Sequence, residues 1–222
     1  MKTEVLRYKE LDYSIRYPEG FSETEKYPLV IYLHGAGGRG RDINVIKNHS
    51  FFADSEQYCK DAVTVVPQCY ANTWFDIFEQ LKDYVVAMSR MACVDTDRVY
   101  VIGASMGGYT TWQIGMSLPE IVAAIVPICG GGMYWNAERL KHTGVWAFHG
   151  SADKTVSCEE SEKMVAAVNK RGGNAKLTVY EGVPHNSWTP TFQSKEMWAW
   201  LFSNRLHYAT TKNEYNDVVR FG

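Results

Sequence analysis

Apolar residues along this chain occur in short continuous runs, separated by segments in which they recur every three or four positions. Short β-branched runs are typical of strands buried on both faces, and the longer spacing is typical of amphipathic helices. The predicted core strands are Tyr27–Leu33, Ala62–Val66, Val99–Ile102, Ile121–Ile128, Gly144–His149 and Lys176–Tyr180. Strand and helix patterns alternate, which predicts an α/β fold with a mostly parallel sheet and helices on both faces.

The segments between these runs carry helix and turn signals. Helices are predicted over Asp42–Tyr58, Asp76–Met91, Cys158–Arg171 and Thr191–Asn204, with one more between Met106 and Pro119. Asp95–Arg98 is typical of a turn. Alternating polarity over Leu11–Tyr17 predicts a half-buried strand at a sheet edge, and Glu4–Tyr8 is a candidate partner for it.

Length and charge limit the classes of protein to consider. The chain has 222 residues, which favours a single domain over 1–222. A net charge of -2, without a lysine or arginine cluster, argues against nucleic acid or an anionic membrane as partner and favours a small-molecule substrate. No apolar window is long enough to cross a bilayer, and Met1–Arg7 lacks the apolar core of a signal peptide. The chain as given is therefore expected to be cytoplasmic, although a secreted protein given without its leader would look the same.

The cysteines do not indicate a disulfide framework or a metal site. Their number is odd, and neither a C-x-x-C motif nor a histidine pair at metal-binding spacing occurs. We therefore predict no metal and no cofactor, and interpret most of the cysteines as small buried apolar residues. The cysteines are Cys59, Cys69, Cys93, Cys129 and Cys158.

The Val99–Ile102 run leads into Gly103–Gly107, a G-x-S-x-G motif followed by a helix pattern. A buried strand, a sharp turn and a helix are the context in which such a motif presents a nucleophilic serine. Ser105 is therefore the candidate nucleophile, at the positive end of the following helix. The alternative is a glycine-rich turn whose serine only caps that helix.

A serine nucleophile needs a base, and the base needs a group that orients it. His185 follows the last predicted strand and is the candidate base, with an exposed loop histidine as the alternative. His34 and His149 also end strands, but each precedes a glycine and fits a buried position that holds loop backbone. The other histidines are expected at the surface; they are His49, His142 and His207.

Asp153 is the candidate for the orienting acid, because it directly follows a core strand and lies between Ser105 and His185 in the chain. Glu181 is the reserve, and a turn aspartate that caps a helix is the alternative interpretation of Asp153. Acyl transfer also needs two donors for the oxyanion. The backbone N–H groups of Met106 and of Ala36 are the candidates, with Gly37 next to Ala36 as a second choice.

Four segments together resemble the α/β-hydrolase serine esterases: His34–Gly37, Gly103–Gly108, His149–Asp153 and Val183–Asn186. The resemblance covers residues 27–204 and is to a single-domain set of predicted peptidases and esterases, related to feruloyl and polyhydroxybutyrate esterases and to dienelactone hydrolase. It implies the α/β-hydrolase fold and hydrolysis of carboxylic esters through an acyl-enzyme.

Substrate contacts are expected at the carboxyl ends of the strands. Only residues 130–143 separate two core strands where many relatives insert a lid, so an open cleft without a sizeable lid domain is predicted. Trp74, Trp135 and Trp188 lie in loops at these ends and suit an aromatic or sugar-linked ester. Equally, they could simply cover the sheet end. A peptidase of the same fold and a non-catalytic binding protein are the alternative functions.

Overall fold

Eight strands form one sheet in the computed structural model, which describes residues 3–206. Their order across the sheet is β1-β2-β4-β3-β5-β6-β7-β8. Strand β2 runs antiparallel to both of its neighbours, and β3 to β8 are parallel to one another. The strands are β1 Thr3–Tyr8, β2 Leu11–Arg16, β3 Tyr27–Leu33, β4 Val63–Pro67, β5 Val94–Ala104, β6 Ala124–Ile128, β7 Gly144–Gly150 and β8 Ala175–Tyr180.

Helices cover both faces of this sheet, as the alternating pattern predicted. The α-helices are α1 Ile43–Lys47, α2 Ser50–Asp54, α3 Phe78–Ser89, α4 Met106–Ser117, α5 Glu159–Lys170, α6 Trp188–Gln193 and α7 Lys195–Ser203. Short 3₁₀ segments lie at Ala36–Gly38, Trp74–Ile77 and Tyr134–Leu140. Within residues 3–206, no helix is both long and apolar enough to cross a membrane.

Strand β3 shows how the continuous apolar runs build two cores. Successive side chains of a strand point to opposite faces, so Leu29 and Ile31 join the core that includes α3, α4 and α5. Val30 and Tyr32 join the core on the other face, against α2 and α7. A strand with both faces covered must be apolar throughout, which is why these runs do not alternate.

The N-terminal strands correct one prediction and confirm another. Strand β1 pairs with β2, as the candidate pairing of Glu4–Tyr8 anticipated, with Glu4 opposite Ile15. The prediction that the second strand lies at the sheet edge is wrong, because β2 also pairs with β4 and β1 forms the edge. The residues predicted as a turn, Asp95–Arg98, instead belong to β5.

Two predicted long helices are each divided by a capping residue. Within Asp42–Tyr58, α1 ends at Lys47, and His49 caps the next helix, where its ring accepts the Phe51 N–H. Within Thr191–Asn204, the Ser194 hydroxyl accepts the Met197 N–H and starts α7. A cap residue has a non-helical backbone but need not disturb the spacing of apolar residues. The apolar pattern therefore did not reveal these two breaks.

The connection from β6 to β7 is compact, and in the described chain it carries no inserted lid. It consists of residues 129–143, whose regular structure is the 3₁₀ segment Tyr134–Leu140. The carboxyl ends of β5, β7 and β8 are therefore left open on this side, in agreement with the predicted architecture. His207 and the rest of the C-terminal tail lie outside the described residues.

Candidate active site

Ser105 occupies a strained position between β5 and α4. Its backbone has φ 56° and ψ −117°, a region that residues other than glycine rarely occupy. Two backbone hydrogen bonds hold it there: the Ser105 N–H donates to Ile128 O at 2.9 Å, and the Tyr109 N–H donates to Ser105 O at 3.0 Å. The Ser105 side chain does not cap α4, so its hydroxyl is free for another role.

The glycines of the motif are required by close approach. A Cβ atom at Gly107 would overlap the Leu33 carbonyl at the end of β3, and one at Gly103 would overlap the Gly107 backbone and Thr111 Oγ1. These contacts bring the first turn of α4 against the sheet. The sharp turn that results places Ser105 at the carboxyl edge of the strands.

The three residues predicted as a triad meet at this edge. His185, in the loop after β8, has Nε2 2.9 Å from Ser105 Oγ. Its Nδ1 lies 2.7 Å from Oδ2 of Asp153, which follows β7. Because a carboxylate oxygen only accepts, Nδ1 carries the proton and Nε2 is left to accept the serine proton. The arrangement can therefore deprotonate Ser105 as it attacks a carbon centre.

Asp153 is held as an anion by its surroundings. Its side chain is fully buried, and its Oδ1 accepts the N–H groups of Thr155 at 2.8 Å and Val156 at 3.0 Å. Burial acts to raise the pKa of Asp153, but the hydrogen bonds from Val156, His185 and Thr155 outweigh it, so the pKa lies below its ordinary value. The oxygen that faces His185 is thus available as an acceptor at neutral pH.

A second histidine, His149, fixes the loop that carries Asp153. It is fully buried at the end of β7, with Nε2 3.0 Å from Val156 O and 3.3 Å from Asp153 Oδ2. Its Nδ1 lies 2.8 Å from Ser161 Oγ on α5. The predicted role in holding loop backbone agrees with these contacts. The approach to Asp153 was not anticipated, although the four-residue separation is visible in the chain.

His34 performs a similar task for the loop that contains Ala36. Its Nδ1 donates to Gly35 O at 2.7 Å, and its Nε2 accepts the Cys69 N–H at 3.0 Å. This pattern uses the neutral imidazole, and burial lowers the pKa of His34 to about 4. The ring ties the loop after β3 to the loop after β4, as predicted for a histidine that holds backbone.

The burial of His34 makes stability depend on pH. In the unfolded chain the imidazole titrates near its ordinary pKa of about 6.5, so between that value and the folded pKa of about 4 the unfolded chain binds more protons. The His34 contribution to the free energy of unfolding is therefore complete above the unfolded pKa and is lost as the pH falls. Between about pH 7 and about pH 5, we expect the free energy of unfolding of His34→Asn to fall by about 2 kcal/mol less than that of the wild type. Urea titrations at the two pH values measure both changes. Equal losses in both proteins would contradict this assignment.

A cavity of about 480 Å³ opens beside Ser105. Its lining contains no Asp, Glu, Lys or Arg and comes mainly from the loop after β3, the start of α2 and the segments after β7 and β8. The lining residues are Tyr32, Gly35, Ala36, Gly37, Gly38, His49, Ser50, Ala104, Ser105, Thr155, His185 and Trp188. Ala36, proposed as an oxyanion donor, thus shares the cavity with the nucleophile, and Met106 opens the helix that follows it.

The three predicted tryptophans have different environments. Trp188 lines the cavity, with its ring centroid 5.6 Å from that of His185. Trp135 is 62% exposed, packs edge-on against Tyr134 and is not among the cavity residues. The prediction that Trp74 contacts substrate is wrong: its side chain is fully buried and its indole N–H donates to His34 O at 3.0 Å.

His49 also corrects a prediction, because it lines the cavity rather than lying at an outer surface. Its position follows from the break between α1 and α2, which turns the chain toward Tyr32. The sequence signal that could have found it is a histidine in capping position, two residues before a buried phenylalanine.

Cys129 lies directly behind the triad. Its thiol, a carboxylate oxygen of Asp153 and a ring nitrogen of His185 all lie within 4.8 Å of one another, a grouping that could in principle ligate a metal. However, Asp153 and His185 already bind each other, and burial raises the pKa of the Cys129 thiol to about 12. A protonated thiol is a poor metal ligand, so the group is better described as a triad packed on a small side chain.

Two relatives are similar to part of this chain. A bifunctional acetylxylan esterase/xylanase of Neocallimastix patriciarum is 26% identical in an alignment over 145 residues that covers 61% of this chain and 20% of that protein. Feruloyl esterase B of Piromyces equi is 26% identical in an alignment over 124 residues that covers 51% of this chain and 23% of that protein. The matched segment therefore covers less than a quarter of the length of either relative.

The fold and the family agree with the geometry of the site. The crystal structure of a thermostable esterase superimposes with a TM-score of 0.81 at 31% identity, covering 91% of this chain and 63% of that one. The model of the dienelactone hydrolase family matches residues 31–197, which hold the end of β3, all of β4 to β8 and the residues Ser105, Asp153 and His185. With most of its length matched in this way, the chain belongs to the dienelactone hydrolase family.

Proposed function

We propose that this protein is a serine carboxylic ester hydrolase that works through an acyl-enzyme. The observation that carries the proposal is the pair of hydrogen-bond distances at His185, 2.9 Å to Ser105 Oγ and 2.7 Å to Asp153 Oδ2. A serine, an imidazole and a buried carboxylate in this order form the proton relay that acyl transfer requires.

In the first half of the reaction, Ser105 Oγ attacks the ester carbonyl carbon while His185 Nε2 takes the serine proton. The carbonyl oxygen becomes an oxyanion, for which the N–H groups of Met106 and Ala36 are the proposed donors. The first N–H groups of a helix lack intrahelical partners, so Met106, at the start of α4, can supply one. His185 then gives its proton to the departing alkoxide, which leaves as the alcohol.

In the second half, His185 takes a proton from a water molecule, and the resulting hydroxide attacks the acyl carbon. The tetrahedral intermediate collapses, the bond to Ser105 Oγ breaks, and the serine regains a proton from His185. Asp153 remains ionised throughout and stabilises the imidazolium in each half. Its buried position and its two backbone donors keep the imidazole oriented.

The proposed substrates are esters of small, aromatic or sugar-linked groups bound in the open cleft. The cavity lining is free of acidic and basic side chains, apart from its histidines, and Trp188 offers an indole surface beside His185. The names of the two relatives refer to acetylxylan and feruloyl esters, which contain groups of these kinds.

Comparison of an ester with its matched amide tests the proposal. We expect p-nitrophenyl acetate to be hydrolysed with a kcat/KM far above that for p-nitroacetanilide, and a fluorophosphonate probe to label Ser105. Faster cleavage of the anilide would favour a peptidase. Absence of both turnover and labelling would favour a non-catalytic binding protein and end the proposal.

A further inference from the structure

His49 lines the cavity beside Ser105 but takes no part in the proton relay. It is held on two sides. Its Nδ1 accepts the Phe51 N–H at 3.2 Å, and its ring centroid lies 5.1 Å from that of Tyr32. Tyr32 in turn stacks on Phe51, with ring centroids 4.2 Å apart and planes within 6°. The imidazole is therefore fixed by a helix cap and by an aromatic neighbour, rather than free to rotate.

The proton of this imidazole is assigned by its contacts. Burial lowers the pKa of His49 to about 4, so the ring is neutral at physiological pH and carries one proton. Because Nδ1 accepts from Phe51, that proton lies on Nε2. Within residues 3–206 this N–H donates no hydrogen bond, and because His49 lines the cavity, the N–H is available to a molecule bound there.

The rest of the cavity lining has the same neutral character. The lining includes Ser50 and Thr155, which have hydroxyl groups, and Trp188, which has an indole. The lining includes no Asp, Glu, Lys or Arg, so an ionised substrate group would find no opposite charge there. A purely hydrocarbon group would bury the His49 N–H without an acceptor, which costs binding free energy. An uncharged group that carries an oxygen atom avoids both penalties.

We infer that His49 is a specificity-determining residue, whose Nε2–H donates to an uncharged ether, hydroxyl or carbonyl oxygen of the substrate. The enzyme then prefers esters with such an oxygen over esters of the same shape that have a methylene group in its place. This inference rests on the proposed ester hydrolysis at Ser105. It adds a chemical criterion for the part of the substrate that fills the cavity.

Two pairs of matched esters test the inference from either side of the ester bond. The acyl pair is p-nitrophenyl methoxyacetate and p-nitrophenyl butyrate; the alcohol pair is tetrahydropyran-4-yl acetate and cyclohexyl acetate. Each kcat/KM is divided by the rate constant for hydroxide hydrolysis of the same ester, which removes intrinsic reactivity. In the wild type, the oxygen-containing member should be preferred in at least one pair.

The variants His49→Asn and His49→Phe separate the N–H donor from the helix cap. Asparagine retains an acceptor for the cap of α2, but its shorter side chain ends before the position of Nε2, so its amide N–H cannot replace the lost donor. Phenylalanine has no donor and retains the aromatic contact with Tyr32. In both variants the preference should fall by about fivefold, the effect of one neutral hydrogen bond. The use of both variants keeps the test valid if one of them is unstable, and thermal unfolding identifies such a case.

Asp42→Ala is the matched control, because Asp42 caps the neighbouring helix α1 through the Asn44 N–H at 3.0 Å and is not among the cavity residues. It should lower stability and leave the preference unchanged. An equal loss of preference in Asp42→Ala and His49→Asn would overturn the inference, as would a wild type without any preference. If the wild type hydrolyses none of the four esters, the proposed function is contradicted instead.

Discussion

Replacement of Ser105 by alanine is expected to lower kcat for ester hydrolysis by about 10⁵- to 10⁶-fold. The effect is this large because the nucleophile and its base act as a unit, and loss of one removes the contribution of both. His185 would have no hydroxyl at 2.9 Å to deprotonate. Labelling by a fluorophosphonate should disappear at the same time. Steady-state kinetics with p-nitrophenyl acetate measures the first effect, and mass spectrometry of the labelled protein measures the second.

The stability of this variant should change little, because alanine and serine meet the same strain at φ 56°. The companion variant Ser105→Gly is expected to be equally inactive but more stable, by about 1 kcal/mol, since glycine accepts this backbone conformation without a steric penalty. Thermal unfolding of the three proteins shows the difference. Substantial activity in either variant would mean that Ser105 is not the nucleophile, and a less stable Ser105→Gly would contradict the strain argument.

Asp153→Asn is expected to lower kcat by about 10⁴-fold with a smaller change in KM. The asparagine oxygen can still accept from Thr155 and Val156, so the loop should keep its path. Its amide group would then face His185 as a donor. The imidazole would have to accept at Nδ1 and would carry its proton on Nε2, where it cannot take the proton of Ser105.

Glu181→Gln is the matched control for this experiment. Glu181 follows β8 and was the reserve candidate for the acid, but the structure gives the contact with His185 Nδ1 to Asp153. The control should retain activity near that of the wild type. A large loss in Glu181→Gln together with a small loss in Asp153→Asn would reverse the assignment.

Prediction of the site worked best where a residue directly follows a buried strand. Parallel strands bring their carboxyl ends to one edge, so Ser105, Asp153 and His185 could be placed there from their positions after predicted strands. Prediction failed where the direction of a side chain mattered. Trp74 and Trp188 were both predicted in loops after strands, yet Trp74 packs under His34 and Trp188 lines the cavity.

The sequence by itself determined the strand and helix alternation, because a strand covered on both faces has to be apolar along its length. It also determined the elbow, since the Gly103 and Gly107 positions leave no room for a Cβ atom. Only the tertiary structure decided which side chains meet between the loops, because the path of each loop depends on contacts between residues far apart in the chain. The position of His49 in the cavity and the contact of His149 with Asp153 are two examples.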